Sequence, residues 1–121
     1  MTVWTCDPSF TVDIAQHGDE MHVRFCGDLD AVTAMLLRRS NVIAIDEPTT
    51  VVLDLSRIEW IDMSGVREIR RIAADLSDVG GHVHLRGATP WVQEMLDLIS
   101  KTSAETSTTR KLGAPAAKES A

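Results

Sequence analysis

The sequence predicts one α/β domain, a mixed β-sheet with helices packed on it, in the order β-β-α-β-α-β-α. Three observations carry this. Two short runs, Phe10-Thr11-Val12-Asp13-Ile14 and Met21-His22-Val23-Arg24-Phe25, alternate apolar and polar residues around His17-Gly18-Asp19, as an antiparallel hairpin with one wet face does. The run Val51-Val52-Leu53-Asp54-Leu55 is short and β-branched, as a buried strand requires. From Val66 on, apolar residues recur at spacings of three and four, which puts them on one face of a helix.

The elements follow in order. Residues 1–9 read as a loose leader, with Trp4 able to cover an edge of the core. The hairpin leaves through Gly27-Asp28-Leu29-Asp30, a tight exit in which Asp30 can cap a helix by accepting from its free first-turn N–H groups. That helix is expected from Ala31 to about Ile45, with Ala34, Leu37 and Ile45 inward and Asn41 standing where an apolar residue belongs. Asp46-Glu47-Pro48 ends it, because a proline disfavours helix at the residue before it. The central strand follows, then a short polar link and a turn at Asp62-Met63-Ser64-Gly65.

The next helix is the strongest in the chain. Val66, Ile69, Ile72, Ala73, Leu76 and Val79 make its apolar stripe, Arg67, Glu68, Arg70, Arg71 and Asp75 its solvated face, and Gly80-Gly81 its stop. His82-Val83-His84-Leu85-Arg86 is a further alternating strand. Thr89-Pro90 then opens a last helix carrying Val92, Met95, Leu96 and Ile99 at helical spacing. The domain spans 10–100. Residues 101–121 are rich in Ser, Thr and Ala, too poor in apolar surface to offset their ordering entropy, and read as a disordered tail.

Composition narrows the class. A chain of 121 residues is one domain with room for one core. A net charge of −6 argues against nucleic acid, which draws a basic surface. No apolar run approaches the roughly 18 residues of a membrane span, and the N-terminus lacks a basic segment followed by an apolar one, so a cytoplasmic location is expected. Cys6 and Cys26 are expected as two reduced thiols.

Ser64 stands where a central strand hands over to a helix, the edge at which α/β sheets build their sites. As a hydrolase nucleophile it fails, because Asp62 occupies the position where a Gly-x-Ser-x-Gly elbow has its first glycine. A helix cap and a phosphate acceptor both stay open, since a phosphate there would meet free N–H groups and the positive helix end. Asp30 and Asp62 each read as helix caps at minimum. His82 and His84 share a strand face, but no cluster completes a metal site. Trp60 is either core or a partner anchor, as tryptophan is enriched at interface hot spots. No phosphate-binding loop, dinucleotide fingerprint or zinc spacing is present. The usual machinery of an enzyme is missing.

Taken together, Gly27-Asp28-Leu29-Asp30 with Thr33-Ala34 and Leu37, Val52-Leu53-Asp54-Leu55-Ser56, Ile61-Asp62-Met63-Ser64-Gly65, Gly80-Gly81 before a strand, and Pro90 opening a helix with Leu96 resemble the STAS family. Within it they resemble the stand-alone bacterial anti-sigma factor antagonists. The match runs from about Phe10 to Ile99. The resemblance implies a single STAS-like domain, no cofactor, and phosphorylation of the serine at Ser64, with Asp30 nearby in the switch. It implies as partner an anti-sigma factor that is also a serine kinase with a histidine-kinase-like ATPase fold, and a metal-dependent phosphatase to reverse the mark. On this reading Asp30, Trp60, Asp62, Met63, Ser64, Gly65, Arg67, Glu68 and Arg71 form the partner-binding surface. The alternatives are an unphosphorylated docking module and a nucleotide-binding STAS module. The sequence departs from the family where Val66-Arg67 replaces the usual Leu-Gly, at Asn41, and in the tail from Lys101 on.

Overall fold

The computed structural model of the chain describes the backbone of residues 2–106 and the side chains of residues 2–6 and 8–98. It forms a five-stranded mixed sheet with three helices: β1 Thr2–Asp7, β2 Phe10–His17, β3 Glu20–Leu29, α1 Ala31–Ser40, β4 Thr50–Ile61, α2 Met63–Asp78, β5 His82–Arg86 and α3 Pro90–Thr106. The strands lie in sequence order across the sheet, with β1–β2 and β2–β3 antiparallel and β3–β4 and β4–β5 parallel. From Phe10 on, the order is the expected β-β-α-β-α-β-α.

The structure differs from the sequence reading in several places. The segment taken as a loose leader carries strand β1, which pairs along β2 and packs Trp4 edge-on against Phe10, with centroids 6.3 Å apart. Helix α1 stops at Ser40 rather than near Ile45, because Asn41 takes a left-handed conformation (φ 54°) and caps it, and the apolar Ile43 and Ile45 pack on the core from a loop instead. Strand β4 runs on to Ile61 through the residues taken as a polar link. The register shifts opposite Arg24/Cys26 and Gly27/Asp28 let it do so, re-aiming Ile58 and Ile61 inward. At the end of α2, Val79 is exposed, and at the sheet edge Leu85 is too. Helix α3 continues to Thr106, past the expected start of the tail. The inward position of Ile99 and the tail beyond residue 106 lie outside the described residues.

One core joins the elements. Phe10, Val12, Val23 and Phe25 of the hairpin and Val51, Leu53 and Leu55 of β4 point to the same side. Ala34 and Leu37 of α1, Val66, Ile69, Ile72 and Leu76 of α2, and Val92, Met95 and Leu96 of α3 close over them. All three helices therefore cover one face of the sheet, and among the described residues the other face carries no helix. Gly27 (φ 106°) permits the chain crossing at the exit of β3, since a Cβ there would stand 1.9 Å from the carbonyl oxygen of Ser9, which accepts from the Asp28 N–H at 2.8 Å.

Candidate functional site

The site is built where two parallel strands end side by side. Leu29 of β3 and Ile61 of β4 are register partners, and the Asp62 N–H donates to the Leu29 carbonyl at 3.4 Å. Each strand then yields a helix through an aspartate. The Asp30 carboxylate accepts from the N–H groups of Val32 (3.1 Å) and Thr33 (3.0 Å), while the Thr33 hydroxyl oxygen accepts from the Asp30 N–H at 2.9 Å, a closed capping box. The Asp62 carboxylate accepts from the Gly65 N–H at 3.0 Å. Two helix N-termini, each the positive end of a dipole and each holding one carboxylate, thus lie next to each other.

Ser64 is the second residue of α2 and half-buried. Its backbone N–H and that of Met63 have no carbonyl within the helix to meet, as at every helix start. The Ser64 hydroxyl makes no side-chain hydrogen bond among the described residues. Gly65 is what brings the helix so close to β3: a Cβ there would lie 2.3 Å from the Leu29 carbonyl oxygen and 2.8 Å from Cγ1 of Ile61.

The other expected site residues divide. Met63 packs partly on the core, and Arg67 is exposed on the outer face of α2. Trp60 is 51% exposed. Glu68 does not lie on the solvated face: it is 5% exposed, and its carboxylate is held by Arg71, whose Nε donates to Oε1 at 3.0 Å. Arg71 also bridges to Asp75 on its outer side, and the hydrogen bond to Glu68 first, with both carboxylates' charge, raises its pKa. A buried carboxylate needs such a partner, so Glu68 and Arg71 act together as structure with only Arg71 reaching the surface. Burial lowers the pKa of Arg70, with Asp97 of α3 acting against it.

Sequence reasoning missed Trp91. It stacks on Trp60 with ring centroids 5.7 Å apart and is itself 42% exposed. The usable signal was its place outside the Val92, Met95, Leu96 stripe, which leaves a large aromatic ring facing out beside the Ser64 turn. A cleft of about 160 Å³ lies elsewhere, over the second half of α2 against the 41–45 loop, and does not reach Ser64. Among the described residues no cluster of His, Cys, Asp and Glu could hold a metal, and no helix is long and apolar enough to cross a membrane.

Comparison with known proteins agrees with this geometry. No curated protein matches the sequence, whereas several solved structures share the fold. An anti-sigma factor antagonist from Mycobacterium paratuberculosis is 27% identical, with a TM-score of 0.60 over 79% of this chain and 85% of that one. The STAS domain of an antisigma-factor antagonist from Rhodobacter sphaeroides is 24% identical, with a TM-score of 0.56 over 66% of this chain and 88% of that one. The anti-sigma factor antagonist SpoIIAA in its unphosphorylated form is 18% identical, with a TM-score of 0.57 over 74% and 80%. The family model described as "Mlab, STAS domain" matches residues 12–101, so with two capped helix starts flanking Ser64 on a mixed sheet, the chain belongs to the STAS domain family.

Proposed function

We propose that this protein is a non-enzymatic anti-sigma factor antagonist that acts in the cytoplasm. Unmodified, it binds an anti-sigma factor serine kinase with a histidine-kinase-like ATPase fold and so frees the sigma factor. Phosphorylation of Ser64 ends the contact, and a metal-dependent phosphatase restores it. The observation that carries the reading is the placement of a half-buried serine in the first turn of α2, beside the paired caps Asp30 and Asp62. The likeness to antagonists of two organisms, one of them 27% identical, supports it.

The physics of such a switch is simple. A phosphate adds about −1.5 to −2 charges and sits without strain at a helix N-terminus. The fold survives, but the surface now sets that charge beside two carboxylates. If leaving it unpaired in an interface costs about 4 kcal/mol, affinity falls roughly a thousand-fold. The partner surface comprises Asp30, Asp62, Met63, Ser64, Arg67, Arg71 and Trp60, with Trp91 added, while Gly65 and Glu68 support it from below.

Intact mass and peptide mapping after incubation with ATP and candidate anti-sigma kinases test the reading. One phosphate on Ser64, absent from Ser64→Ala, is the expected result. Stable binding to a kinase with no phosphate gained would replace the switch by a constitutive docking role.

A further inference from the structure

The sheet face that carries no helix among the described residues has a charge pattern of its own, independent of Ser64. One row crosses four strands in register: Asp13 of β2 pairs with Arg24 of β3, Arg24 with Asp54 of β4, and Asp54 with Arg86 of β5. These residues alternate in sequence with the core-facing ones, so they stand on the open face. The charges read minus, plus, minus, plus. Within the chain they are already held: Arg24 donates to Asp13 at 3.2 Å, and Arg86 lies 3.8 Å from Asp54. The neighbouring row is Ala15, His22, Val52 and His84, and it carries no carboxylate. Val52 is 6% exposed although it points away from the main core.

An alternating row of four is self-complementary when reversed. Rotation about a two-fold axis parallel to the strands, passing between Arg24 and Asp54, sets Asp13 of one copy against Arg86 of the next and Arg24 against Asp54. All four contacts then join opposite charges. The same rotation sets His22 against Val52 and His84 against Ala15, which opposes no like charges. An axis along the row would instead set each residue against itself, Asp13 on Asp13. Charge therefore selects one isologous arrangement, in which the sheets pack face to face as aligned sheets do.

We propose that the helix-free sheet face is the interface of a symmetric homodimer, in which the row Asp13, Arg24, Asp54, Arg86 meets the same row of a second copy in reverse order. The four strands that overlap in this arrangement, about 4.8 Å apart and roughly 20 Å long, offer on the order of 400 Å² per copy, the size of a weak, transient contact. The dimer is correspondingly weak, with a Kd on the order of 100 μM, and sensitive to salt. The Ser64 surface lies at the end of the strands and stays open in each copy.

Sedimentation equilibrium of the full chain in low salt tests this, with Arg86→Glu and Asp13→Lys as variants and far-UV circular dichroism as the check on folding. Each variant alone opposes like charges twice in its homodimer and is expected to weaken association at least tenfold. An equimolar mixture sets Glu at 86 against Lys at 13 and keeps every other contact, so it is expected to dimerise. A wild-type chain that stays monomeric up to about 1 mM overturns the proposal and leaves the face to a different partner. So does a dimer that survives Arg86→Glu at wild-type strength, or two folded variants whose mixture fails to associate. Should Asp13→Lys not fold, Arg86→Glu alone still decides.

Discussion

The indole of Trp91 lies over that of Trp60, its plane 25° from parallel, and its Nε1 donates to the carbonyl oxygen of Ile61 at 3.2 Å. That bond ties the first turn of α3 to the last residue of β4, immediately before the Asp62 cap. A rigid aromatic pair that is about half exposed contributes little to folding but offers large apolar area to a partner at small entropic cost. Trp60→Ala is expected to weaken binding to the proposed kinase partner about thirtyfold or more, the loss of a hot spot of about 2 kcal/mol, while stability changes by less than about 1 kcal/mol. Calorimetric titration beside urea unfolding separates the two effects. Equal binding by Trp60→Ala would remove the pair from the interface.

Ser64→Glu places a carboxylate at the second position of α2, where the helix dipole favours a negative charge. Its melting temperature is therefore expected within about 4 °C of wild type. Its affinity for the proposed kinase partner is expected to fall sharply, though less than with phosphate, which carries more charge. A folded Ser64→Glu that binds as tightly as wild type would contradict the switch.

At Gly65 the expected effect is on folding. The added methyl of Gly65→Ala meets the Leu29 carbonyl oxygen at 2.3 Å, and that oxygen belongs to backbone already engaged by the Asp62 N–H. Relief requires α2 to lift away from β3, at a cost of about 3 kcal/mol. Urea unfolding measures it, and a change under about 1 kcal/mol would mean that the helix start is not held as tightly as the contacts imply.

What the sequence made legible was what short-range chemistry determines. The hairpin, the stripe of α2 from Val66 to Leu76 and the two aspartate caps depend on residues within a turn of one another, and each stands where its pattern put it. The chain hid what depends on distant partners. Strand β1 has too short a pattern to announce itself and exists because β2 offers an edge. Glu68 looked solvated because its burial needs Arg71 to fold over it. Asn41, an anomaly in an apolar pattern, proved to be the cap that ends the helix.

The Glu68–Arg71 pair supplies a fourth expectation. Removing the cation leaves a carboxylate that is 5% exposed without its partner. Arg71→Met keeps the stem and loses the charge, and is expected to cost about 3 kcal/mol. The double variant Glu68→Leu with Arg71→Met is expected to recover most of that loss, because no charge then remains buried. A double variant no more stable than Arg71→Met would show that the pair matters for more than mutual neutralisation.

Asp54 gives the chain a defined response to acid. Burial works against its carboxylate, but hydrogen bonds from the Ser56 N–H (2.9 Å) and hydroxyl and the charges of Arg86 and Arg24 outweigh it, so its pKa lies below the ordinary value. A depressed folded-state pKa means stability that is fully present above the unfolded value and lost as the pH falls through the folded one. Asp54→Asn is therefore expected to be about 1 kcal/mol less stable than wild type at pH 7. The gap should narrow on acidification below about pH 4, as the wild-type carboxylate takes up its proton. Urea unfolding at low micromolar concentration, where the chain is monomeric, measures both. A gap that stays constant from pH 7 to about pH 2 would show that the amide disturbs packing rather than charge, and the row across the sheet would then owe its alignment to the backbone register alone.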